Sequence, residues 1–348
     1  MTSHRSATAD VLELLVPGLL GPIPPQPDGL QSTPTLDLLL ARARQSTPSG
    51  ADQRADLNTA LLACFGAEAS APYSRAADDP AWDRDGFCMH ADPVHLRPDR
   101  DLLRLFDARH LGIAQDEADQ LTAELNGFFA ADGLRFMAPT ASRWYVHCRQ
   151  PLALRTQPLA RVIGEHIDGL LPAGVDAARW ASLMNEAQML LFQSSVNQRR
   201  EAGGRSSVNG LWCWGGGVWR DLVDAVPAAQ RPQRIWARSS LARGLAAASG
   251  ALVEPLWSAW QPHSGSALVV VDQVQDALLD ANDRGWGAAV EALDQWLGPA
   301  LAALRAGRLD EIVVDACNGR RWSLSRADLR RFWRRPRPLA TLAARQER

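Results

Sequence analysis

The chain has 348 residues, 46% hydrophobic and 22% charged, with 37 basic against 39 acidic side chains and a formal net charge of -2. That profile excludes disordered, fibrous and polyelectrolyte classes, and a chain of this length buries roughly three quarters of its unfolded surface without needing a disulfide or structural metal. Every basic residue is arginine, which excludes a lysine Schiff base or a phosphate-loop lysine.

Residues 11–20 form an apolar run that reads as a strand, followed by a Pro/Gly-rich turn and a helix over 33–43 carrying Leu36, Leu38, Leu39 and Leu40. Residues 46–53 and 69–85 lack an apolar period and read as loops, which places a domain boundary near Ala81. A strand is expected at 87–91, then a short helix, then a long helix over 115–131 whose Ala118, Leu121, Leu125 and Phe128 recur at helical spacing before Gly133. Strands are expected at 134–137 and 143–148, and helices at 154–171 and 176–192, the second with Asp176 at its N-cap. Beyond 193 the pattern becomes strand–helix alternation: a strand at 235–237, a helix from Ser239 or Ser240 to Gly250, a β-branched strand at 267–272, a helix at 285–306 and a buried strand at 311–315. Alternating units of this kind imply a largely parallel sheet flanked by helices.

The longest apolar stretches fall short of the ~20 residues of a membrane span, and the first ten residues lack the order of a secretory signal. Five scattered cysteines, Cys64, Cys88, Cys148, Cys213 and Cys317, fit reduced thiols. The expectation is a cytoplasmic protein with no membrane partner. A near-zero charge with one Arg-rich block, at 330–337, argues against a nucleic-acid partner. That block could hold an anionic partner or form a solvated basic face.

No nucleophile elbow, dinucleotide fingerprint, phosphate loop or Cys-x-x-Cys occurs. The densest polar set is His90, Asp92 and His95, followed by Asp99 and Asp101. On a strand, His90 and Asp92 share a face as two metal ligands would, whereas Pro93 is expected to break the strand and leaves His95 undetermined; the alternative is an Asp-Pro turn with His90 bonded to backbone. A second feature is Trp212-Cys213-Trp214-Gly215-Gly216-Gly217, where three glycines either bring backbone N–H groups to an anion or form a strand-end turn packed under Trp212 and Trp214. Cys213 and Cys317 are candidate thiols without a basic sequence neighbour. Asp272, Asp276, Asp280 and Asp283 follow a core strand at the end where α/β sheets place ligands, or cap the next helix.

The order of Thr33–Asp37, 92–145, 196–200, 209–217, 267–272 and 312–318 resembles the archaeal-type cofactor-independent phosphoglycerate mutases, and more closely the bacterial phosphoglycerate-mutase-like proteins known as RpfE-type regulatory proteins. The resemblance implies an alkaline-phosphatase-like α/β core formed by 1–80 and 193–348, with an inserted α+β cap domain at 81–192. Active members use two divalent metals and a transiently phosphorylated serine. Carried over residue by residue, the first metal carboxylate falls on Pro17-Gly18, the serine close to Leu57 beside Asp56, Asn58 and Thr59, a metal pair on Gln275 and Leu279 with Asp276 adjacent, and a later pair on Cys317-Asn318. Only His263 lies beyond His166, whereas a two-metal phosphoryl-transfer site needs several converging carboxylates and imidazoles.

The expectation is therefore a phosphoglycerate-mutase-like protein without cofactor or catalytic residues, acting in regulation or binding on a phosphorylated small molecule or a protein. Trp212, Trp214, Gly215, Gly216, Gly217 and Arg143 are the ligand candidates. An active manganese-, magnesium- or zinc-dependent mutase or phosphohydrolase that uses His90, Asp92 and His95 is the alternative.

Overall fold

A computed structural model describes residues 9–22, 32–46, 56–99, 102–167 and 169–343. The chain divides into two compact units, Met1–Ala67 with Asp221–Arg348, and Glu68–Arg220. The first unit begins with β1 (Val11–Leu15), α1 (Pro34–Arg42), β2 (Arg44–Ser46) and α2 (Leu57–Phe65). The second holds α3 (Ala71–Asp78), β3 (Phe87–Asp99), β4 (Leu102–Asp107), α4 (Gln115–Phe129), β5 (Leu134–Thr140), β6 (Arg143–Cys148), α5 (Ala177–Gln193), α6 (Ser195–Ala202) and β7 (Gly210–Val218). The chain returns to the first unit with β8 (Pro232–Trp236), α7 (Ser240–Ser249), β9 (Leu252–Glu254), β10 (Ser266–Val270), α8 (Gln273–Leu279), α9 (Asp283–Arg305), β11 (Glu311–Asp315), β12 (Arg321–Ser325) and α10 (Leu339–Ala343).

In the first unit seven strands run in the order β2-β12-β11-β1-β10-β8-β9. The strands from β11 to β9 are mutually parallel, while β12 and β2 add an antiparallel edge. Every residue of β10 is buried, as expected of a central parallel strand covered on both faces. The main apolar partner is α9, which buries Trp286, Val290, Leu293, Leu297, Leu301 and Leu304 at helical spacing against Leu12, Leu14, Val269, Ile312 and Val314. Asn282 caps this helix by accepting from the Gly285 N–H at 2.8 Å. The mixed α/β class and mostly parallel sheet match the sequence pattern.

In the second unit the strand order is β4-β3-β6-β5, with β7 also paired to β3. Helix α4 buries Ala118, Leu121, Leu125 and Phe129, and α5 buries Trp180, Ala187 and Leu191, in a core shared with Met89, Phe136, Trp144 and Val146.

Several local expectations are corrected. Pro93 does not break β3, and no short helix follows at 92; the strand continues to Asp99. Residues 87–90 pair with β6 and 94–99 with β4, so 91–93 lack a partner on that side while β7 runs along the other. A missing N–H costs little in such a gap. The segment 69–85, read as a loop, contains α3, opened by Pro72 in its first turn. Among the described residues of 154–171 there is no α-helix; they contain a 3-10 turn at Leu159–Arg161 and isolated bridges that pair His166 with Arg104, Ile163 with Leu105 and Arg155 with Ala173. Their helix-like spacing instead supplies Leu159, Val162, Ile163, Ile167 and Leu170 to an apolar cluster with Val94, Leu105 and Trp212.

The unit boundary at Glu68 lies before Ala81 because α3 packs with β3 and β7, and the boundary at Arg220 lies after 192 because β7 pairs with β3. Residues 47–53, Asp101 and most of the first ten residues lie outside the described residues. Among the described residues no helix is long and apolar enough to cross a membrane.

Candidate functional site

The parallel register of β11, β1, β10 and β8 brings their C-terminal ends to one edge of the first unit's sheet. The residues that follow these four strands are Ala316-Cys317-Asn318, Val16-Pro17-Gly18, Val271-Asp272 and Ala237-Arg238. At this edge Arg238 donates from Nε to Asp272 at 2.7 Å and from Nη2 to Asp276. Burial raises the Asp272 carboxyl above its usual range, with Arg238 opposing. Asp280 ends α8 and Asp283 opens α9. The Gly18 carbonyl accepts from the Trp286 indole at 3.1 Å. Cys317 is buried with φ at 53°, and its N–H donates to Asp315 Oδ1 at 2.8 Å. Asp56 caps α2 by accepting from the Thr59 N–H at 2.8 Å and from its hydroxyl at 3.1 Å.

A second polar concentration lies inside the second unit. Alternation along β3 puts His90 and Asp92 on one face, where both meet Trp214 of β7. The His90 ring stacks on Trp214 with centroids 4.2 Å apart, and Asp92 Oδ2 accepts from the Trp214 indole at 2.7 Å. Among the described residues neither His90 ring nitrogen has a hydrogen-bond partner. Burial pushes the His90 imidazole down to about 3, opposed by Asp78. The same desolvation pushes Asp92 up to about 7, opposed by the Trp214 donation and by Arg143.

Beside this pair Arg143 donates from Nε and Nη2 to Asp78 at 2.7 and 2.9 Å, and Tyr145 donates its hydroxyl to Asp78 at 2.8 Å. Thr156 Oγ1 accepts from the Gly215 N–H at 3.2 Å, and the buried Ser70 hydroxyl has no partner among the described residues.

Of the sequence candidates, the fold thus gathers His90, Asp92, Arg143, Trp214 and Gly215. His95 points elsewhere, with Nδ1 2.9 Å from the Ser207 carbonyl. Trp212 donates to the Gln157 carbonyl at 2.9 Å. The three glycines lie inside β7 rather than in a strand-end turn. A Cβ at Gly216 would come within 2.6 Å of Met89 Cγ, and one at Gly217 would overlap Ala69, so close packing accounts for both. Burial raises the Cys213 thiol well above its usual range. Asp78, Tyr145, Ser70 and Thr156 were not singled out in the sequence; Asp78 and Ser70 sit in the segment 69–85, which has no readable period. Among the described residues no group of three or more His, Cys, Asp and Glu side chains converges as a metal centre would.

No protein-family model matches the chain. It is 27% identical over 200 residues to the 2,3-bisphosphoglycerate-independent phosphoglycerate mutase of Methanosarcina mazei, a match covering 53% of this chain and 48% of that one. It is 26% identical over 196 residues to the enzyme of the same name from Methanosarcina acetivorans, again over 53% and 48%. The chain spans about half the length of the curated relatives it matches. Similar solved structures are the PH0037 protein of Pyrococcus horikoshii, with a TM-score of 0.48, 14% identity and coverage of 92% of this chain and 88% of that one, and the cofactor-independent phosphoglycerate mutase of Thermoplasma acidophilum, with 0.38, 13%, 90% and 89%. The chain is similar to archaeal-type cofactor-independent phosphoglycerate mutases.

Proposed function

We propose that this phosphoglycerate-mutase-like chain keeps an alkaline-phosphatase-like core, carries residues 68–220 as its cap, and has exchanged two-metal phosphoryl transfer for a binding or regulatory role. The observation that carries this reading is Arg238. At the sheet edge where a divalent pair would need free carboxylates, a guanidinium engages both Asp272 and Asp276. A fixed cation there opposes entry of a second positive charge. The neighbouring positions offer Pro17, a glycine carbonyl bonded to Trp286, a buried thiol at Cys317 and Asn318. These donors do not fit two divalent metals, and no step is assigned to a metal.

His90, Asp92 and His95 do not restore the lost chemistry in this reading. Asp92 accepts from the Trp214 indole, His90 is buried with its ring stacked on the same residue, and His95 Nδ1 lies 2.9 Å from the Ser207 carbonyl, so the three do not converge on one point. The protein acts in the cytoplasm on a phosphorylated small molecule or a protein partner, with no nucleic-acid or membrane partner.

The test is a coupled assay of 3-phosphoglycerate isomerisation with manganese, magnesium or zinc in excess. The reading expects no turnover above the protein-free rate. Metal-dependent turnover that is lost in His90→Ala would establish the active alternative instead.

A further inference from the structure

Helix α5 buries Trp180, Leu183, Ala187 and Leu191 at helical spacing in the core of the second unit. Its opposite face is exposed, yet it lacks the charge of a solvated helix. Ala178, Ala181, Asn185, Met189 and Phe192 form a continuous stripe there, with Met189 65% and Phe192 78% exposed. Val175, 91% exposed, precedes the N-cap Asp176 at the Ala178 end. The only charged residues of this 17-residue helix are Arg179 and Glu186, two turns apart and therefore on the same flank of the stripe. Among the described residues neither enters an ion pair. Glu186 accepts from the Ser182 hydroxyl at 3.4 Å, and the Asp132 and Arg149 that share a small cleft with Arg179 offset each other.

The stripe is symmetric in position and complementary in size. Ala181 and Met189 lie four residues to either side of Asn185, and Ala178 and Phe192 lie seven. Two copies of α5 laid antiparallel about a two-fold axis at Asn185 put each Phe192 over the partner's Ala178 and each Met189 over the partner's Ala181, large against small at all four contacts. The two Asn185 amides meet on the axis, where each can donate to and accept from the other. Such an axis also brings the same flank of both helices together. Arg179 then stands about 7.5 Å along the helix from the partner's Glu186, within reach of its long side chain, and the pair forms twice. A parallel pairing would instead set Arg179 against the partner's Arg179 and Phe192 against the partner's Phe192.

We propose that α5 docks on α5 of a second copy of this chain, in an antiparallel two-fold contact centred on Asn185. The charge and size pattern selects that occupant and that orientation. A helix about 25 Å long buries less than the ~1,600 Å² of a standard interface, so the dimer is reversible, with a micromolar dissociation constant. The contact lies wholly within the second unit and uses none of the strand-end residues, so it stands or falls independently of the mutase assay.

The experiment is sedimentation velocity of the full chain from about 1 to 200 µM, the span of a micromolar dissociation constant. The parent is expected to pass reversibly from monomer to dimer. Phe192→Ser should weaken the dimer by about tenfold or more, with unchanged melting temperature because the side chain is exposed. Arg179→Glu and Glu186→Arg should each weaken it several-fold, and the double variant should return to the parent's behaviour. A short bis-maleimide should join Asn185→Cys to its own counterpart but leave Ala178→Cys unlinked, the five native cysteines being buried. A parent that stays monomeric, a dimer indifferent to Phe192→Ser, a charge swap that fails to restore association, or linkage through Ala178→Cys rather than Asn185→Cys would each overturn the proposal.

Discussion

Arg238 holds Asp272 through a 2.7 Å hydrogen bond at the C-terminal edge of the parallel sheet, and the same guanidinium engages Asp276. Asp272 is mostly buried and its carboxyl is already raised by desolvation, with Arg238 the main opposing influence. Replacing Arg238 by Gln should raise the Asp272 pKa further, read by carbon-13 NMR titration of the carboxyl. The change in stability should stay within about 1 kcal/mol, because the guanidinium is half-exposed and solvent screens the pair. An unchanged titration would show that the arginine does not control this edge.

The buried pair His90 and Asp92 should give opposing pH dependences. Asp92 has a folded pKa raised to about 7 from an ordinary 3.8, so its contribution is full below the unfolded value and is lost as pH rises through about 7. His90 is lowered to about 3 from 6.5, so its contribution is present above 6.5 and is lost as pH falls through about 3. Between about pH 4 and 6.5 the slopes oppose. Asp92→Asn keeps an acceptor for the Trp214 indole and removes one slope. Urea denaturation should show the variant gaining stability relative to the parent as pH rises from 4 to 7, by up to a few kcal/mol. A constant difference across that range would contradict the buried, raised carboxyl.

Arg143→Ala leaves the Asp78 carboxylate, only 1% exposed, with Tyr145 but without its bidentate cation. The loss should be about 1–3 kcal/mol, less than for a fully buried pair because Arg143 is itself partly exposed. Arg143→Lys should recover only part of it, since an ammonium cannot fork. Thermal unfolding of the two variants checks this.

Gly216→Ala drives a Cβ to within 2.6 Å of Met89 Cγ and 2.8 Å of Phe87 Cζ. Overpacking of this kind costs about 1–3 kcal/mol. Gly215→Ala should cost at least as much, because φ is 64° and the new carbon would overlap Ser70 Oγ. Melting temperatures equal to the parent would return the glycine run to a role at a ligand rather than in packing.

The sequence revealed elements wherever one periodicity dominated. β10 and β11 are short, mostly apolar runs with Val or Ile at their centres or ends and every or nearly every residue buried, and α4 and α9 carry apolar faces at helical spacing. It misled where a tertiary partner changed the meaning of a pattern. Leu159, Ile163, Ile167 and Leu170 repeat like a helix, yet they cover the cluster around Val94, Leu105 and Trp212 from an irregular segment. Pro93 looks like a stop until the partner strands are seen to leave a gap there. The face shared by His90 and Asp92 was legible from strand alternation alone. Asp78 and Ser70 were not, because Ala, Ser and Asp around them carry no apolar signal, and their importance arises only when α3 packs with β3 and β7.

The central claim is that the strand-end edge no longer holds divalent metal. The most direct test is the metal content of the purified chain after incubation with excess manganese, magnesium and zinc followed by desalting, read by elemental mass spectrometry. The account predicts protein that carries no stoichiometric metal. One or two equivalents retained would contradict it and show that Arg238 leaves a working metal centre in place.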